Sequence, residues 1–210
     1  MKLLELFCGT KSVGKVFEAH GWEVVSVDLN PKFKPTIVAD VMSLPTTIGV
    51  GFDFCHFSPP CTEYSIAHTG NARDLDSANA LVKHCLAIIR DSKPRFWTIE
   101  NPASGLLKKM EFMQDYNYSI GSYCKYDFPY RKNTIIWNNF DLTLLKCNYD
   151  CDSIYKFNKR WRHKTHAQKG PSFKDGLGDV CYKSTDLYRI PEKFVLEIYN
   201  AISARAQTVS

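Results

Sequence analysis

A chain of 210 residues with 44% hydrophobic and 23% charged side chains has the composition of one compact domain with a sizeable core. No stretch approaches the roughly 18 uninterrupted apolar residues of a membrane span, and the apolar start Met1–Phe7 is too short for a secretory signal. The eight cysteines are therefore expected as reduced thiols of an intracellular protein. The net charge of +5 is uneven: residues 142–183 hold nine basic and four acidic side chains, while basic and acidic residues balance in 1–141 and in 184–210.

Leu3–Phe7 reads as a short strand, followed by Gly9-Thr10 and a helix over about Ser12–His20. Val13, Val16 and Phe17 form that helix's apolar face, and Gly21 is its natural stop. Trp22–Val27 reads as a second strand ending at Asp28, Thr36–Ala39 as a third ending at Asp40, and Phe52–Phe57 as a fourth running into Ser58-Pro59-Pro60-Cys61. Residues 75–90 have helical periodicity, with Leu75, Ala78, Val82, Cys85 and Ile89 on one face. Phe96–Ile99 is a fifth strand closing on Glu100-Asn101-Pro102. Tyr118–Cys124 and Ile135–Trp137 read as further strands around the polar stretch Tyr126–Thr134. Pro191 opens a last helix with a seam of Phe194, Val195, Ile198, Tyr199 and Ile202, frayed from about Ala206. This alternation predicts an α/β fold, a doubly wound and mostly parallel Rossmann-like sheet, whose carboxyl edge gathers the strand-end residues. Residues 1–141 and 184–210 form that domain, and 142–183, with little apolar periodicity, a small loop-rich basic insert.

Two prolines cannot continue a sheet ladder, so Pro59-Pro60 presents Cys61 on a stiff turn at a strand's carboxyl end. A thiolate placed there is a nucleophile for an electrophilic carbon, and a packing cysteine beside a structural turn is the plainer alternative. The spacing Gly9-x-x-x-x-Gly14 departs from the dinucleotide fingerprint. With acids closing strands two and three, it suits a nucleoside without phosphates. Asp28 would accept from two ribose hydroxyls and Asp40 from an adenine amino group, although each could equally be a cap or surface residue. The insert's cations are interleaved with Tyr155, Phe157, Trp161, His163 and His166, as on a polyanion-binding surface. Cys147, Cys151, His163 and His166 have zinc-ligand side chains. The Cys-x-x-x-Cys spacing is loose and no second Cys-x-x-Cys supports it, so no metal is counted among the site residues.

In their order these motifs resemble those of the S-adenosylmethionine-dependent DNA (cytosine-5) methyltransferases, over about residues 3–202. The outline is similar to the short forms carried by large DNA viruses and phages. The resemblance implies a class I methyltransferase fold, S-adenosylmethionine as cofactor and DNA as partner, in a monomer without membrane contact. It places Phe7, Gly9 and Thr10 of the first motif, Asp28 with Leu29, and Asp40 with Val41 at the cofactor. Cys61 becomes the nucleophile toward carbon 6 of a flipped or single-stranded cytosine. Glu100 becomes the partner of N3 and the exocyclic amine, and Arg131 or Lys132 the cation at the base's O2 edge or its phosphate. Thr62–Asp74 becomes a lid over the base, and the last helix completes the cofactor pocket. The chain departs from the family pattern at Lys11, where a second glycine is usual, and at Pro102, where valine is usual. Tyr130-Arg131-Lys132-Asn133-Thr134 stands in place of Gln-x-Arg-x-Arg, and the region for target recognition is only about fifty residues long. That small insert keeps an RNA cytosine-5 methyltransferase as the alternative. A binding protein that keeps the fold without turnover is a second alternative, which the Cys61/Glu100 pair opposes. Enzymes that methylate amino groups place an aromatic after the Pro-Pro turn, so Cys61 disfavours them.

Overall fold

The computed structural model describes residues 1–66, 68, 72–164 and 187–207. Its strands are β1 (Lys2–Leu6), β2 (Glu23–Asp28), β3 (Ile37–Val38), β4 (Phe54–Phe57), β5 (Phe96–Pro102), β6 (Tyr118–Ser122) and β7 (Asn133–Asn138). The helices are α1 (Ser12–Ala19), α2 (Leu75–Ser92) and α3 (Glu192–Gln207). The seven strands form one sheet in the order β3-β2-β1-β4-β5-β7-β6. β1 to β5 run parallel, and β7 pairs antiparallel with both β5 and β6. The chain winds outward from β1 in both directions. The crevice at the carboxyl ends of β1 and β4 is thus the topological switch point, where open α/β sheets bind ligands.

Side-chain alternation divides the core into two layers. Leu3, Phe54 and Phe96 pack with α1 and α3 on one face, through Val13, Val16, Phe17, Phe194, Val195, Ile198 and Ile202. Leu4, Leu6, Cys55, Phe57, Trp97 and Ile99 pack on the other face against Val82, Cys85 and Ile88 of α2. Burial on both faces explains why β1, β4 and β5 are nearly continuous apolar runs. Among the described residues no helix is long and apolar enough to cross a membrane.

Several local expectations are corrected. β5 runs on through Glu100, Asn101 and Pro102, because antiparallel pairing with β7 continues to Pro102↔Thr134. The buried stripe of α2 centres on Ile88, with Ile89 half-buried. α3 holds helical geometry to Gln207, beyond the expected fraying point. β6 ends at Ser122, and Cys124 lies in a short 3-10 turn after it. Within the insert, expected to be loop-rich, β8 (Ile154–Phe157) and β9 (Arg160–His163) form a hairpin. Asn158 and Lys159, with φ of 45° and 63°, supply the two left-handed positions of a tight two-residue turn. Residues 165–183 of the insert, His166 among them, lie outside the described residues.

The β1–α1 turn takes positive φ at Phe7 (59°), Gly9 (47°) and Lys11 (56°). Gly9 adopts this freely, whereas Lys11, the N-cap of α1, sits in the left-handed region with a side chain and makes no side-chain cap. That conformation costs a non-glycine residue on the order of 1 kcal/mol. Lys11→Gly should therefore raise stability toward denaturant by about that amount, and a fall in the urea midpoint would show that the lysine side chain contributes more than its backbone strain costs.

Candidate active site

The functional side chains meet at the carboxyl edge of β1, β2, β4 and β5. They line a cavity of about 370 Å³, within the size range of small-molecule sites. Phe7, Gly9, Asp28, Leu29, Asp40 and Val41 line one end, and Cys61, Glu100 and Lys132 also border it. Of the residues expected at the cofactor, only Thr10 is not part of the lining. Its hydroxyl instead pairs with that of Ser12, which is. Tyr188 and Ile190, just before α3, also line the cavity, and the Ile190 N–H donates to Ser12 Oγ at 3.1 Å. The segment leading into α3 therefore lines this pocket, while α3 itself contributes no lining residue.

The cofactor end is built from the β1 turn outward. Glu5, buried in β1, accepts from the backbone N–H groups of Val13 and Gly14 at 3.2 and 3.1 Å, tying the start of α1 to the sheet. A Cβ at Gly14 would lie 2.6 Å from Glu5 Oε2, so glycine is required for this close approach. Burial pushes the Glu5 carboxyl up to about 8, against the pull of those two N–H donors. Asp28 Oδ2 accepts from Gly9 N–H at 2.9 Å and Oδ1 from Asn30 N–H at 2.8 Å, which fixes the carboxylate at the strand end. Asp40 accepts from Met42 N–H at 2.9 Å and caps the short turn that follows. Both carboxylates keep lone pairs for a ligand. Two acids and an apolar floor of Phe7, Leu29 and Val41 repel phosphate and suit an uncharged ribose and an aromatic base. These two acceptors and the apolar floor fit the nucleoside part of S-adenosylmethionine.

At the reactive end, Asn101 is fully buried and donates from Nδ2 to the carbonyl of Pro59 at 3.0 Å. It thereby pins the Pro-Pro turn that carries Cys61. Burial raises the Cys61 thiol above its ordinary range, and the neighbouring Glu100 adds to that, while Lys132 opposes both. Glu100 is raised by burial as well, with Lys132 pulling it down. Lys132 Nζ lies 4.0 Å from Glu100 Oε1, a buried oxygen with no hydrogen-bond partner. Of the two cations expected to share one role, only Lys132 faces this cavity. Arg131 turns away, reaching Asn133 Oδ1 at 3.3 Å and the Cys147 carbonyl at 3.4 Å, and its guanidinium lies over the Tyr149 ring. The reason is alternation: successive residues entering β7 point to opposite sides.

One buried polar chain was not foreseen. His56 shares hydrogen bonds with Thr98 Oγ1 at 2.7 Å and Ser58 Oγ at 2.9 Å, and Ser58, like Glu100, lines the cavity. Burial holds His56 neutral, at about 3. The available signal was polar residues recurring inside two apolar strands, in register at His56↔Thr98. The expected lid is only partly described, since residues 67 and 69–71 lie outside the described residues. Its ends are held by Arg73, which donates to the carbonyls of Glu63 and Ser65 at 2.6 and 2.7 Å. Cys147, Cys151 and His163 do converge, and Cys124 joins them; His166, also expected there, lies outside the described residues.

No protein-family model matches the chain. It is 27% identical over 220 residues, spanning 94% of this chain and 98% of the relative, to the Frog virus 3 protein named "Probable DNA (cytosine-5)-methyltransferase". A crystal structure assigned as a DNA modification methyltransferase of an E. coli prophage superposes with a TM-score of 0.50 at 18% identity, over 66% of this chain and 46% of that one. The S. pombe Dnmt2 methyltransferase superposes with a TM-score of 0.51 at 14% identity, over 68% of this chain and 52% of that one. The matched region thus spans about half of each solved relative. The chain thus has the doubly wound, Rossmann-like fold of these two solved structures. Along nearly its whole length the chain resembles the DNA (cytosine-5) methyltransferases, as its motif order implies.

Proposed function

We propose that this protein methylates carbon 5 of cytosine in DNA, using S-adenosylmethionine and a covalent adduct on Cys61. The observation that carries this reading is that Cys61, Glu100 and Lys132 border the same cavity as Asp28 and Asp40. Carbon 5 of cytosine is too weak a nucleophile to take a methyl group directly. Addition of the Cys61 thiolate at carbon 6 converts the ring into an enamine, whose carbon 5 is nucleophilic. Burial favours the protonated form of Glu100, which in that form donates to N3 and neutralises the charge that develops on addition. Lys132 sits where it can hold the O2 edge of the base. Asp28 and Asp40 orient the cofactor, which when bound supplies the electrophilic methyl group. Loss of the carbon 5 proton to solvent water, return of the N3 proton to Glu100 and expulsion of the thiolate then restore the aromatic ring, Glu100 and Cys61. A base stacked in a duplex cannot enter this cavity, so the target cytosine must be flipped or already single-stranded. The hairpin supports nucleic-acid binding: it presents Lys156, Lys159, Arg160 and Arg162 beside Trp161, which is 52% exposed.

The test is transfer of labelled methyl groups to duplex DNA, single-stranded DNA and RNA, with nucleoside analysis of the product. Label recovered as 5-methylcytosine in DNA is the expected result. Label confined to RNA would establish the alternative substrate, and cofactor binding without transfer to any acceptor would mark a binding protein. Asp28→Ala and Asp40→Ala should each weaken S-adenosylmethionine binding by about 1.5–3 kcal/mol. The larger loss is expected at Asp28, whose removal also frees the Gly9 and Asn30 N–H groups. Unchanged calorimetric affinity in both variants would remove the two acids from the cofactor site.

A further inference from the structure

We propose that Cys124, Cys147, Cys151 and His163 bind one zinc ion, a structural site that fastens the basic hairpin to the edge of the sheet. All four residues are buried, and their ligand atoms lie within 4.8 Å of one another. His163 Nε2 is 3.6 Å from Cys124 Sγ and 3.4 Å from Cys147 Sγ. A tetrahedral zinc ion with ordinary bond lengths separates a sulfur and a nitrogen ligand by about 3.5 Å and two sulfurs by about 3.8 Å. Both of these nitrogen–sulfur separations already match that tetrahedron, and every other ligand pair lies within 4.8 Å.

The donor set selects the ion. Three thiolates and one imidazole are a recurrent structural zinc set, soft enough to disfavour magnesium or calcium. A disulfide accounts for the cluster less well. It would join two of the three sulfurs and leave the third, with His163, buried without a function.

The ligands come from three segments of the chain. Cys124 follows the edge strand β6. Cys147 is docked on that strand through its N–H to Ser122 Oγ at 3.0 Å. Cys151 leads into the hairpin, and His163 ends it. The hairpin is a separate two-stranded sheet, and His163 is the one fully buried residue in its strands. A lone hairpin of this length is marginal in water, so a metal bond through His163 would supply the anchorage that a core supplies elsewhere. Tyr149, between the two loop cysteines, packs on His163 and under Arg131. The ion would thus also fix the loop that holds Arg131, next in the chain to Lys132 of the reactive site.

This site is independent of the chemistry at Cys61 and is tested without an activity assay. Protein purified without chelator or added metal should contain about one equivalent of zinc per chain, retained on dialysis. Cys151→Ser and His163→Ala should each lower zinc affinity at least tenfold, as loss of even an outer-shell partner does, while Cys61→Ser keeps its metal. If the ligand variants fold poorly, cobalt exchanged into the wild-type protein should show the intense visible bands of a tetrahedral ion, with thiolate-to-metal charge transfer. Absence of bound zinc in the wild type, an octahedral cobalt spectrum, or full zinc content in a folded Cys151→Ser/His163→Ala double variant would each overturn the proposal.

Discussion

Cys61→Ser is expected to abolish methyl transfer while S-adenosylmethionine still binds. A serine hydroxyl in this partly buried position stays protonated and cannot add to carbon 6. The rate should fall by on the order of a thousandfold or more, the scale at which loss of a covalent nucleophile is felt. The Pro-Pro turn should survive, because Asn101 holds the Pro59 carbonyl without help from the thiol. Cys55→Ser and Cys85→Ser are the contrasting variants. Both thiols are fully buried in the α2-side core and pushed up to about 12, so they pack and do not react. Their substitution should cost stability with catalysis retained in the folded fraction. DNA carrying 5-fluorocytosine gives a direct readout, since fluorine at carbon 5 blocks the elimination that frees the enzyme. The wild type should remain attached to such DNA through denaturing electrophoresis, and Cys61→Ser should not. Wild-type turnover by the serine variant would end the covalent mechanism.

Glu100→Gln is expected to lower the transfer rate by roughly a hundredfold to ten-thousandfold, the range associated with a positioned general acid. It should leave cofactor affinity unchanged, because Glu100 belongs to the base end of the cavity. Its pH signature follows from two groups whose shifts have the same sign. Glu100 is raised by burial, so its protonated, donating form persists above the usual carboxyl range and is lost as pH climbs through the raised value. Cys61 is raised too, so its thiolate accumulates only as pH increases. Wild-type rates should therefore rise with thiolate formation and be cut back on the alkaline side as Glu100 ionises. The glutamine side chain cannot ionise, and the part of the alkaline fall due to Glu100 should vanish from the variant's profile. A variant with the wild-type rate and an unchanged alkaline limb would take Glu100 out of proton donation.

Much of the site was legible in sequence because its residues are tied to strand ends. Asp28, Asp40 and Cys61 follow the apolar runs that become β2, β3 and β4, and a parallel sheet necessarily brings those ends to one edge. Glu100 was legible as a candidate, but not as a residue inside a strand, since continuation of β5 depends on pairing with β7, about thirty residues later. Asn101 stood beside it without a role until the fold brought Pro59 within hydrogen-bonding distance. His56 and Thr98 each looked like isolated polar residues in apolar runs, because their pairing spans 42 positions.

What the sequence determined by itself was local and periodic: the α/β alternation, the turn after β1, the Pro-Pro interruption before Cys61, and the seams of α1 and α3. Each follows from backbone restriction or from a hydrophobic repeat within one short segment. What only the tertiary structure decided was convergence between distant segments. It selected Lys132 over Arg131 at the cavity, because alternation at the start of β7 allows only one of two adjacent side chains to face it. It also brought Cys124 into the buried cluster with Cys147, Cys151 and His163. Cys124 is 23 residues from Cys147 in sequence, and no spacing rule links them. They meet because the loop carrying Cys147 folds back along β6, satisfying that edge strand's Ser122 N–H and hydroxyl through Leu145 and Cys147.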